Sequence, residues 1–559
     1  MLRWFDENPA RYWCLVCFAI IWTLFIMLRP LLRPDWRDVR RTDWGWGLII
    51  LSVLFVGRWP TWFVTRPLDP DENQFIAGAL TLRHDPVFWR SVEGMTSGPF
   101  DYYALWPAGW VHGVDNYFTA RVTAFFLIAV TFVLIHQACA LMCGVMVARI
   151  TGFATLCFEA LALRSDFLHY SSELVPICLL GTAVFLMVRR FAGGAGWRHS
   201  LAGGIVLGSI PLAKLQAVPL AVLLGLGWVI MEIWQRRAAG QESKKGALAL
   251  VAGLIVPLLT CAIFLTFFNL WSDVVISYLL SNVGYVGSIY LPMGEVMGMI
   301  WRTASAPDTL LPYWLAGSGL WLLLSLPLFW SARSTRWLPM AGAGIFCLTS
   351  IACILIPRRP YMHYWQFLVV PWTLLFAIGA EAAYRRLERA APVLQRGLLL
   401  SALLFSTGAL LLARSGKKHP YVGRLALYQA HPMGRVAREL RKYAKPGEAL
   451  GVWGWMANFY AETGLRQATR EAFSHMQILD NPYYEYYRRR YLSDLQHSAP
   501  PVFVDAIGPV NFGFPPDRLR HDEIFPALAT YVRTRYSKVA DLDGVQIFVR
   551  NDRLRLVPP

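Results

Sequence analysis

Long apolar segments enclose the polar stretch Arg66-Pro67-Leu68-Asp69-Pro70-Asp71-Glu72-Asn73-Gln74-Phe75. The stretch holds the acids Asp69, Asp71 and Glu72, and it follows a segment that is long and apolar enough to span a bilayer. Because charge near hydrocarbon is costly, acids at the end of a span indicate a functional site. The alternative is a solvated loop at the membrane interface, and an acidic triplet alone does not separate the two.

The composition is typical of a helical membrane protein. The 559 residues are 56% hydrophobic and 16% charged, and their mean hydropathy is +0.40. Soluble domains hold about 25% charged residues. The nine cysteines all lie in apolar runs, which predicts small buried residues and not a disulfide framework or a zinc site. The net charge of +17 comes mostly from short loops between apolar segments, so it predicts membrane orientation and no nucleic-acid partner.

Apolar segments recur along most of the chain and predict about twelve transmembrane helices. Under the positive-inside rule, the basic loop after the first segment faces the cytoplasm, which places the N-terminus and the acidic stretch on the outer side. Basic loops then fall at alternate turns, and the exceptions on the outer side are Lys214, Arg302, Arg358 and Arg359. The predicted helices cover residues 12–27, 46–64, 122–142, 148–163, 174–188, 201–213, 218–233, 248–268, 314–330, 340–356, 366–383 and 398–412.

The segments predict three regions. Residues 1–45 form an N-terminal transmembrane helix and a basic cytoplasmic loop, and residues 46–414 form the catalytic membrane domain, whose first outer loop is 65–120. From Gly416 the long apolar runs stop, which predicts a soluble extracytoplasmic α/β domain over residues 415–559. Its predicted strands are 450–453, 502–505 and 545–549, and its predicted helices are 436–443 and 484–496. The fold class is therefore an α-helical polytopic membrane protein with a C-terminal extracytoplasmic α/β domain.

The first outer loop supplies candidate general bases. A carboxylate can deprotonate an acceptor hydroxyl or amine, and crowded carboxylates raise one another's pKa. Pro67 and Pro70 are expected to hold this backbone extended.

A second set of polar residues, Asp166, His169 and Glu173, lies in the next outer loop. Carboxylates from two loops can orient an acceptor or hold a divalent cation. The alternative is capping of the following helix by Ser171 or Ser172, with Glu173 in its first turn.

Outward-facing cations are the third feature. Lys214 is either an anchor that reaches the membrane surface or the counter-ion of a lipid phosphate. Arg358 and Arg359 precede His363 and Tyr364, and arginine pairs bind phosphate oxygens in a bidentate manner. Alternatively, these arginines bind only lipid headgroups. Acids, cations and an apolar wall on one side suit group transfer from a lipid-phosphate donor.

These motifs resemble those of the GT-C superfamily of polytopic glycosyltransferases, in particular bacterial relatives of the dolichyl-phosphate-mannose protein mannosyltransferases and of the aminoarabinose transferases. The matching features are Asp71-Glu72 after a span, Asp166 in a later outer loop, and the segment from Arg358 to Tyr364. The resemblance covers about residues 46–413. Some relatives have a Lys-Pro-Pro element late in the first loop, and residues 96–102 lack its lysine, which shifts the expected phosphate contact to Lys214 and the arginines. The extra N-terminal span is a second departure.

The resemblance implies a multi-pass glycosyltransferase of the bacterial inner membrane. The expected reaction transfers a hexose or pentose, with inversion, from a polyprenyl-phosphate donor to a glycan, lipid or protein acceptor at the outer face. Asp71 is implied as the catalytic base, with Glu72 and Asp166 as further catalytic residues. The expected substrate-binding residues are Asp69, Glu93, His169, Glu173, Lys214, Arg358, Arg359, His363 and Tyr364.

No cofactor is required by these motifs, and whether the acids hold a divalent cation stays open. Two other functions remain. A transporter or flippase of lipid-linked saccharide would show internal repeats and a midplane site, whereas these polar residues gather at one face. A phosphoethanolamine-type transferase would carry a metal and nucleophile cluster in the soluble domain, and residues 416–559 hold no convincing one.

Overall fold

The computed structural model describes residues 1–32, 38–192, 194–239, 241–287, 292–306, 309–330, 337–359, 361–387, 392–509, 511, 513–514 and 518–554. Pro360, which belongs to the predicted arginine and histidine segment, lies outside these residues.

The predicted polytopic helical fold is confirmed. In the described part of the chain, nine helices are long and apolar enough to cross a membrane, and all nine coincide with predicted spans. The other three predicted spans are also helical, at Val145–Leu161, Arg198–Ser209 and Leu311–Trp330. The count of twelve spans thus stays a prediction. The nine helices are Ala10–Leu32, Trp46–Phe63, Tyr117–Cys143, Leu174–Phe191, Leu215–Trp234, Lys244–Phe268, Leu338–Leu355, Met362–Arg386 and Val393–Arg414.

Small residues let some of these helices approach closely. A Cβ atom at Gly204 would lie 2.2 Å from the carbonyl oxygen of Leu250, and one at Gly208 would lie 2.4 Å from that of Leu254. The two glycines are four residues apart on helix Arg198–Ser209, so they form one smooth stripe against helix Gln241–Phe268. Backbone contact of this kind stabilises helix pairs in lipid, where burial of apolar surface adds little.

Contacts between loops define the two ends of the helix bundle. At one end, the Asp6 carboxylate accepts hydrogen bonds of 2.7 to 3.0 Å from the backbone of Gly423, Leu425 and Ala426. At the opposite end, Asp38 accepts a hydrogen bond of 2.9 Å from the backbone of Met146. The N-terminus, the first loop after Phe63 and the start of the C-terminal region therefore share one end.

A five-stranded sheet forms the centre of the C-terminal region. Its strands are β1 (Ala449–Trp453), β2 (Arg466–Gln467), β3 (Val502–Asp505), β4 (Tyr536–Leu542) and β5 (Val545–Arg550). Their order is β2-β1-β3-β5-β4, with parallel pairs around β1 and antiparallel pairs around β5. The predicted α/β character is confirmed. The main helices of this region are Arg435–Tyr443, Asn458–Thr463, Tyr484–Ser498 and Pro526–Arg535.

Two strands were not predicted. β2 has only two residues, too few for a periodic signal. β4 had a usable signal, because Asp543-Gly544 joins it to β5 and both residues have positive φ angles of 56° and 82°. Asp-Gly is a preferred two-residue hairpin turn.

Candidate active site

The acidic stretch begins a helix. Asp69 is the residue before helix Pro70–Leu82, and its side chain accepts a hydrogen bond of 3.0 Å from the backbone N–H of Asp71. Proline suits the first helical position, and an acidic cap satisfies the free N–H groups there. The expected extended backbone is found at Asp69 but is wrong from Pro70 onward, where the helix begins. The first loop, residues 65–120, also holds the helices Pro99–Tyr103 and Trp106–His112.

Glu72 points away from Asp71 into the protein. Its two oxygens accept hydrogen bonds of 2.9 and 2.7 Å from the guanidinium of Arg121, and both side chains are fully buried. Arg121 also donates to the backbone carbonyls of Thr61 and Arg66, at 2.8 and 2.7 Å. The geometry favours a structural role for Glu72 over the catalytic role expected from the sequence, because helix periodicity directs adjacent side chains to different sides.

Asp71 is partly exposed and lies within a group of charged side chains. Restricted access to water and the nearby Asp69 carboxylate raise the pKa of Asp71 above its ordinary value. His363, His169 and Lys214 lie in the same group and oppose this rise. The sequence placed these five residues in four separate segments, and the structure brings them together.

Asp166 joins the loop that follows helix Val145–Leu161 to the late histidine segment. Its carboxylate accepts hydrogen bonds from Arg164 Nε at 2.7 Å and from the backbone N–H of Met362 at 3.2 Å, and His363 Nδ1 lies 3.8 Å away. Burial raises the pKa of Asp166, but the nearby His363 and the charge and hydrogen bond of Arg164 outweigh burial and lower the pKa overall. Asp166 is thus held as an anion between two loops.

Three side chains could hold a metal ion. Ligand atoms of Asp69, His169 and His363 all lie within 4.8 Å of one another. His169 Nδ1 lies 2.8 Å from the carbonyl oxygen of Ser165, which assigns the proton to Nδ1 and leaves the buried Nε2 without a hydrogen-bond partner in the described residues. One carboxylate and two imidazoles suit a divalent transition metal.

Lys214 is buried. Its burial argues against the first alternative from the sequence, an anchor that reaches the membrane surface. Its ammonium contacts the Glu173 carboxylate and the Ser172 hydroxyl, and it lies 5.0 Å from the centre of the Tyr364 ring. Although burial raises the pKa of Glu173, the ammonium of Lys214 lowers it to about 2. Glu173 and Tyr364 thus both lie in the group around Lys214.

Lys214 lies beside the segment of the first loop that lacks the lysine of some relatives. The backbones of Ser97 and Lys214 form an antiparallel bridge, and Gly98 N–H donates to the carbonyl oxygen of Ala213 at 2.6 Å. A Cβ atom at Gly98 would lie 2.2 Å from the carbonyl oxygen of Leu212. Lys214, which is distant in the sequence, thus lies beside the segment 96–102 that lacks the lysine of some relatives.

Gly98→Ala is expected to lower the free energy of unfolding by about 1–3 kcal/mol, because the added methyl group clashes with the Leu212 backbone. The measurement is unfolding of the purified protein in detergent. Gly196→Ala is the matched control, since no neighbouring atom of the described residues lies within 4 Å of a Cβ at that position. Equal stability of the two variants would contradict the close contact between residues 98 and 212.

Asp101 is a site residue that the sequence did not single out. It is fully buried, and neither carboxyl oxygen has a hydrogen-bond partner in the described residues. Burial raises the pKa of Asp101 well above its ordinary value, with Lys214 opposing and Glu173 adding to the rise. Its signal in the sequence was its position in the segment 96–102, three residues after Gly98.

Arg359 lies near the C-terminal region, and Arg358 precedes it in the late loop. Arg358 has a positive φ angle of 52°, and both side chains are partly exposed. Burial and the charge of Arg359 lower the pKa of His475, in the C-terminal region, to about 4. A cavity of about 240 Å³ separates Asp69 and Asn73 from Trp455 and Asn458, so the C-terminal region also borders the acidic stretch.

Glu93 is placed outside the group around Asp71. Its carboxylate pairs with Arg490, and its backbone N–H donates to the carbonyl oxygen of Arg470 at 2.8 Å. Arg490 also binds Glu471 at 2.7 Å and Asp273 at 3.3 Å. These contacts favour attachment of the C-terminal region to the first loop over the expected substrate contact of Glu93.

Comparison with known proteins gives a structural match and no sequence match. No protein-family profile and no curated protein sequence matches the chain. Its structure is similar to that of ArnT from Cupriavidus metallidurans bound to undecaprenyl phosphate, with a TM-score of 0.55 and 14% identity, over 90% of this chain and 98% of ArnT. The apo state of the same ArnT gives a TM-score of 0.51 and 14% identity, over 92% of this chain and 99% of ArnT.

Proposed function

Because the chain has the fold of the GT-C superfamily, we propose that it is a membrane glycosyltransferase of the bacterial inner membrane. Its donor is a polyprenyl-phosphate monosaccharide, and its acceptor is a glycan, lipid or protein at the outer face. The C-terminal region, residues 415–559, lies on the same, extracytoplasmic side. The undecaprenyl phosphate bound by ArnT supports a polyprenyl-phosphate donor.

One observation carries the proposal. Asp71, Asp166 and Asp69 come together with the imidazoles of His169 and His363 at one end of an apolar helix bundle. The three carboxylates come from two loops, and the histidines from the second and from a late segment. Such a group of acids and cations at a bundle end suits a reaction between a lipid-borne phosphate and a polar acceptor.

Asp71 acts as the general base. It removes the proton from an acceptor hydroxyl, whose oxygen attacks the anomeric carbon of the donor sugar. The new glycosidic bond forms as the bond between the anomeric carbon and the phosphate oxygen breaks, and its electron pair leaves with polyprenyl phosphate. Attack from the side opposite the phosphate inverts the anomeric centre. Asp166, held by Arg164 and the backbone of Met362, orients the sugar or the acceptor.

Cations stabilise the departing phosphate. Lys214 is held in place by the backbone bridge to Ser97, and we assign Arg358 and Arg359 to the same phosphate from the sequence alone. The pairing of Lys214 with Glu173 and Ser172 keeps the ammonium in a fixed place before the donor binds. A cation or N–H group that is held in place stabilises the developing negative charge more strongly in a water-poor site than in solution.

A divalent cation is an addition to this proposal. Asp69, His169 and His363 would hold it, and the unpartnered Nε2 of His169 fits such a ligand. When bound, the metal would add positive charge near the reacting phosphate. The residues would otherwise orient the acceptor through hydrogen bonds.

The pH dependence of transfer tests the environment of Asp71. A base must be ionised, so the rate should fall as the pH drops through the raised pKa of Asp71. Asp69→Asn keeps the helix cap but removes a neighbouring negative charge, so the rising limb of the rate profile should move to lower pH. Profiles of log(kcat/KM) against pH for wild type and variant are the measurement. A shift to higher pH, or no shift, would contradict the placement of Asp69 beside Asp71.

The function itself is tested with purified protein in nanodiscs and a radiolabelled polyprenyl-phosphate monosaccharide. If the protein transfers the sugar, the radiolabel leaves the lipid and polyprenyl phosphate is formed. Empty nanodiscs serve as the control. A second arm uses sealed vesicles with the same donor. Movement of intact donor across the bilayer without its cleavage would contradict transfer and favour the flippase alternative.

A further inference from the structure

A cavity of about 440 Å³ lies where the last membrane helix meets the C-terminal region. Four of its lining residues are the cations Arg164, Arg414, Lys417 and Lys418, and Tyr421 closes one side. No acidic residue of the described chain lines it. Four positive side chains around one small cavity repel one another unless an anion joins them.

Arg414 is built into the wall of this cavity. It ends helix Ala409–Arg414, only 7% of the residue is exposed, and its guanidinium carbon lies 4.5 Å from the centre of the Trp13 ring. Its buried Nε has no hydrogen-bond partner in the described residues. Its Nη2 makes one long contact of 3.4 Å with the carbonyl oxygen of Lys418. A buried N–H without an acceptor is costly, which indicates that a bound ligand supplies the acceptor.

The other cations complete the positive surface. Lys417 and Lys418 are exposed, and neither forms an ion pair within the part of the chain that the structure describes. Arg164 donates through Nε to Asp166 at 2.7 Å, so this arginine lies between the cavity and the candidate active site. The cations assigned above to the donor phosphate, Lys214, Arg358 and Arg359, do not line this cavity.

We propose that this cavity binds a phosphate-bearing anion, namely the headgroup of an anionic membrane lipid. The span Val393–Arg414 ends at the cavity, so the ligand lies at the bilayer surface, where headgroup phosphates are concentrated. Arg414 and Arg164 bind phosphate oxygens in a directed manner, and the two lysines add charge without fixed geometry. Of the residues used in the proposed transfer reaction, this cavity shares Arg164 alone among its lining residues, and binding to it can be measured without turnover.

The test is calorimetric titration of the purified full-length protein in detergent. The probes are short-chain phosphatidylglycerol, short-chain phosphatidylcholine and inorganic phosphate. The cavity variant is Lys417→Ala/Lys418→Ala, whose exposed positions leave folding intact. The matched control is Lys445→Ala/Lys538→Ala, which removes the same charge from exposed positions outside the cavity.

We expect the cavity variant to bind phosphatidylglycerol about 10- to 30-fold more weakly than wild type, since a basic residue near an anionic surface adds about 1 kcal/mol of binding. The control variant should bind as wild type does. Inorganic phosphate that competes as strongly as phosphatidylglycerol would assign the cavity to phosphate itself, and weak competition would assign it to the lipid headgroup. Equal affinity of both variants, or equal binding of phosphatidylglycerol and phosphatidylcholine, would overturn the proposal.

Discussion

Asp71→Asn should reduce sugar transfer by about 10²–10⁴-fold, the usual contribution of a general base. The amide has nearly the shape of the carboxylate but cannot accept the acceptor proton. The helix cap is kept, because the bond to Asp69 comes from the Asp71 backbone. The loss should therefore appear in kcat, with little change in protein yield or melting temperature.

The matched control for this variant is Asp480→Asn. Asp480 is an exposed acid in the C-terminal region, so the same chemical change there should leave transfer at the wild-type rate. Both variants are assayed in nanodiscs with saturating polyprenyl-phosphate donor. A folded Asp71→Asn enzyme that transfers sugar as fast as wild type would remove Asp71 as the base and leave Asp166 as the remaining candidate.

Arg121→Gln should have the largest effect on stability, a loss of about 3–5 kcal/mol in the free energy of unfolding. The substitution leaves the fully buried Glu72 carboxylate without its partner. It also removes the N–H groups that bind the carbonyls of Thr61 and Arg66, which lie on the chain leading into the acidic stretch. Unfolding in detergent by a denaturant gives the measurement.

Two further variants make this prediction specific. Arg90→Gln removes an arginine from the exposed pair with Asp85, and such pairs contribute about 1 kcal/mol or less. Glu72→Gln/Arg121→Gln neutralises both buried partners, so it should recover part of the stability lost by Arg121→Gln. If Arg121→Gln and Arg90→Gln cost the same, the buried pair does not hold the first loop in place.

The membrane helices were largely predictable from the sequence. In the residues that the structure describes, all nine helices that are long and apolar enough to cross a membrane fall on predicted segments, because the cost of exposing polar groups to lipid acts on each segment separately. The strands β1, β3 and β5 were predicted for a similar reason, since each is a short buried apolar run. Strand β4, with half-exposed residues and no such run, was missed.

The candidate site was predictable as a set of residue types and not as an arrangement. The sequence placed the polar residues on one side, and the contacts of Asp166 with Met362 and His363 agree with that placement. It did not separate Asp71 from Glu72, although the structure turns Glu72 inward to Arg121. The signal for Arg121 was a charge immediately before the predicted helix 122–142, and a charge at such a position needs a partner that the sequence does not name.

Sequence alone established a polytopic helical protein with a C-terminal α/β region and with acids and cations at the ends of its spans, because hydropathy and helix periodicity are properties of short segments. Which acid stays accessible, which is neutralised, and which lysine lies beside Ser97 became known only from the folded chain. Those outcomes depend on contacts between residues more than one hundred positions apart, such as Ser97 with Lys214 and Asp166 with Met362. Contacts of that kind are set by packing of whole helices, and no local pattern records them.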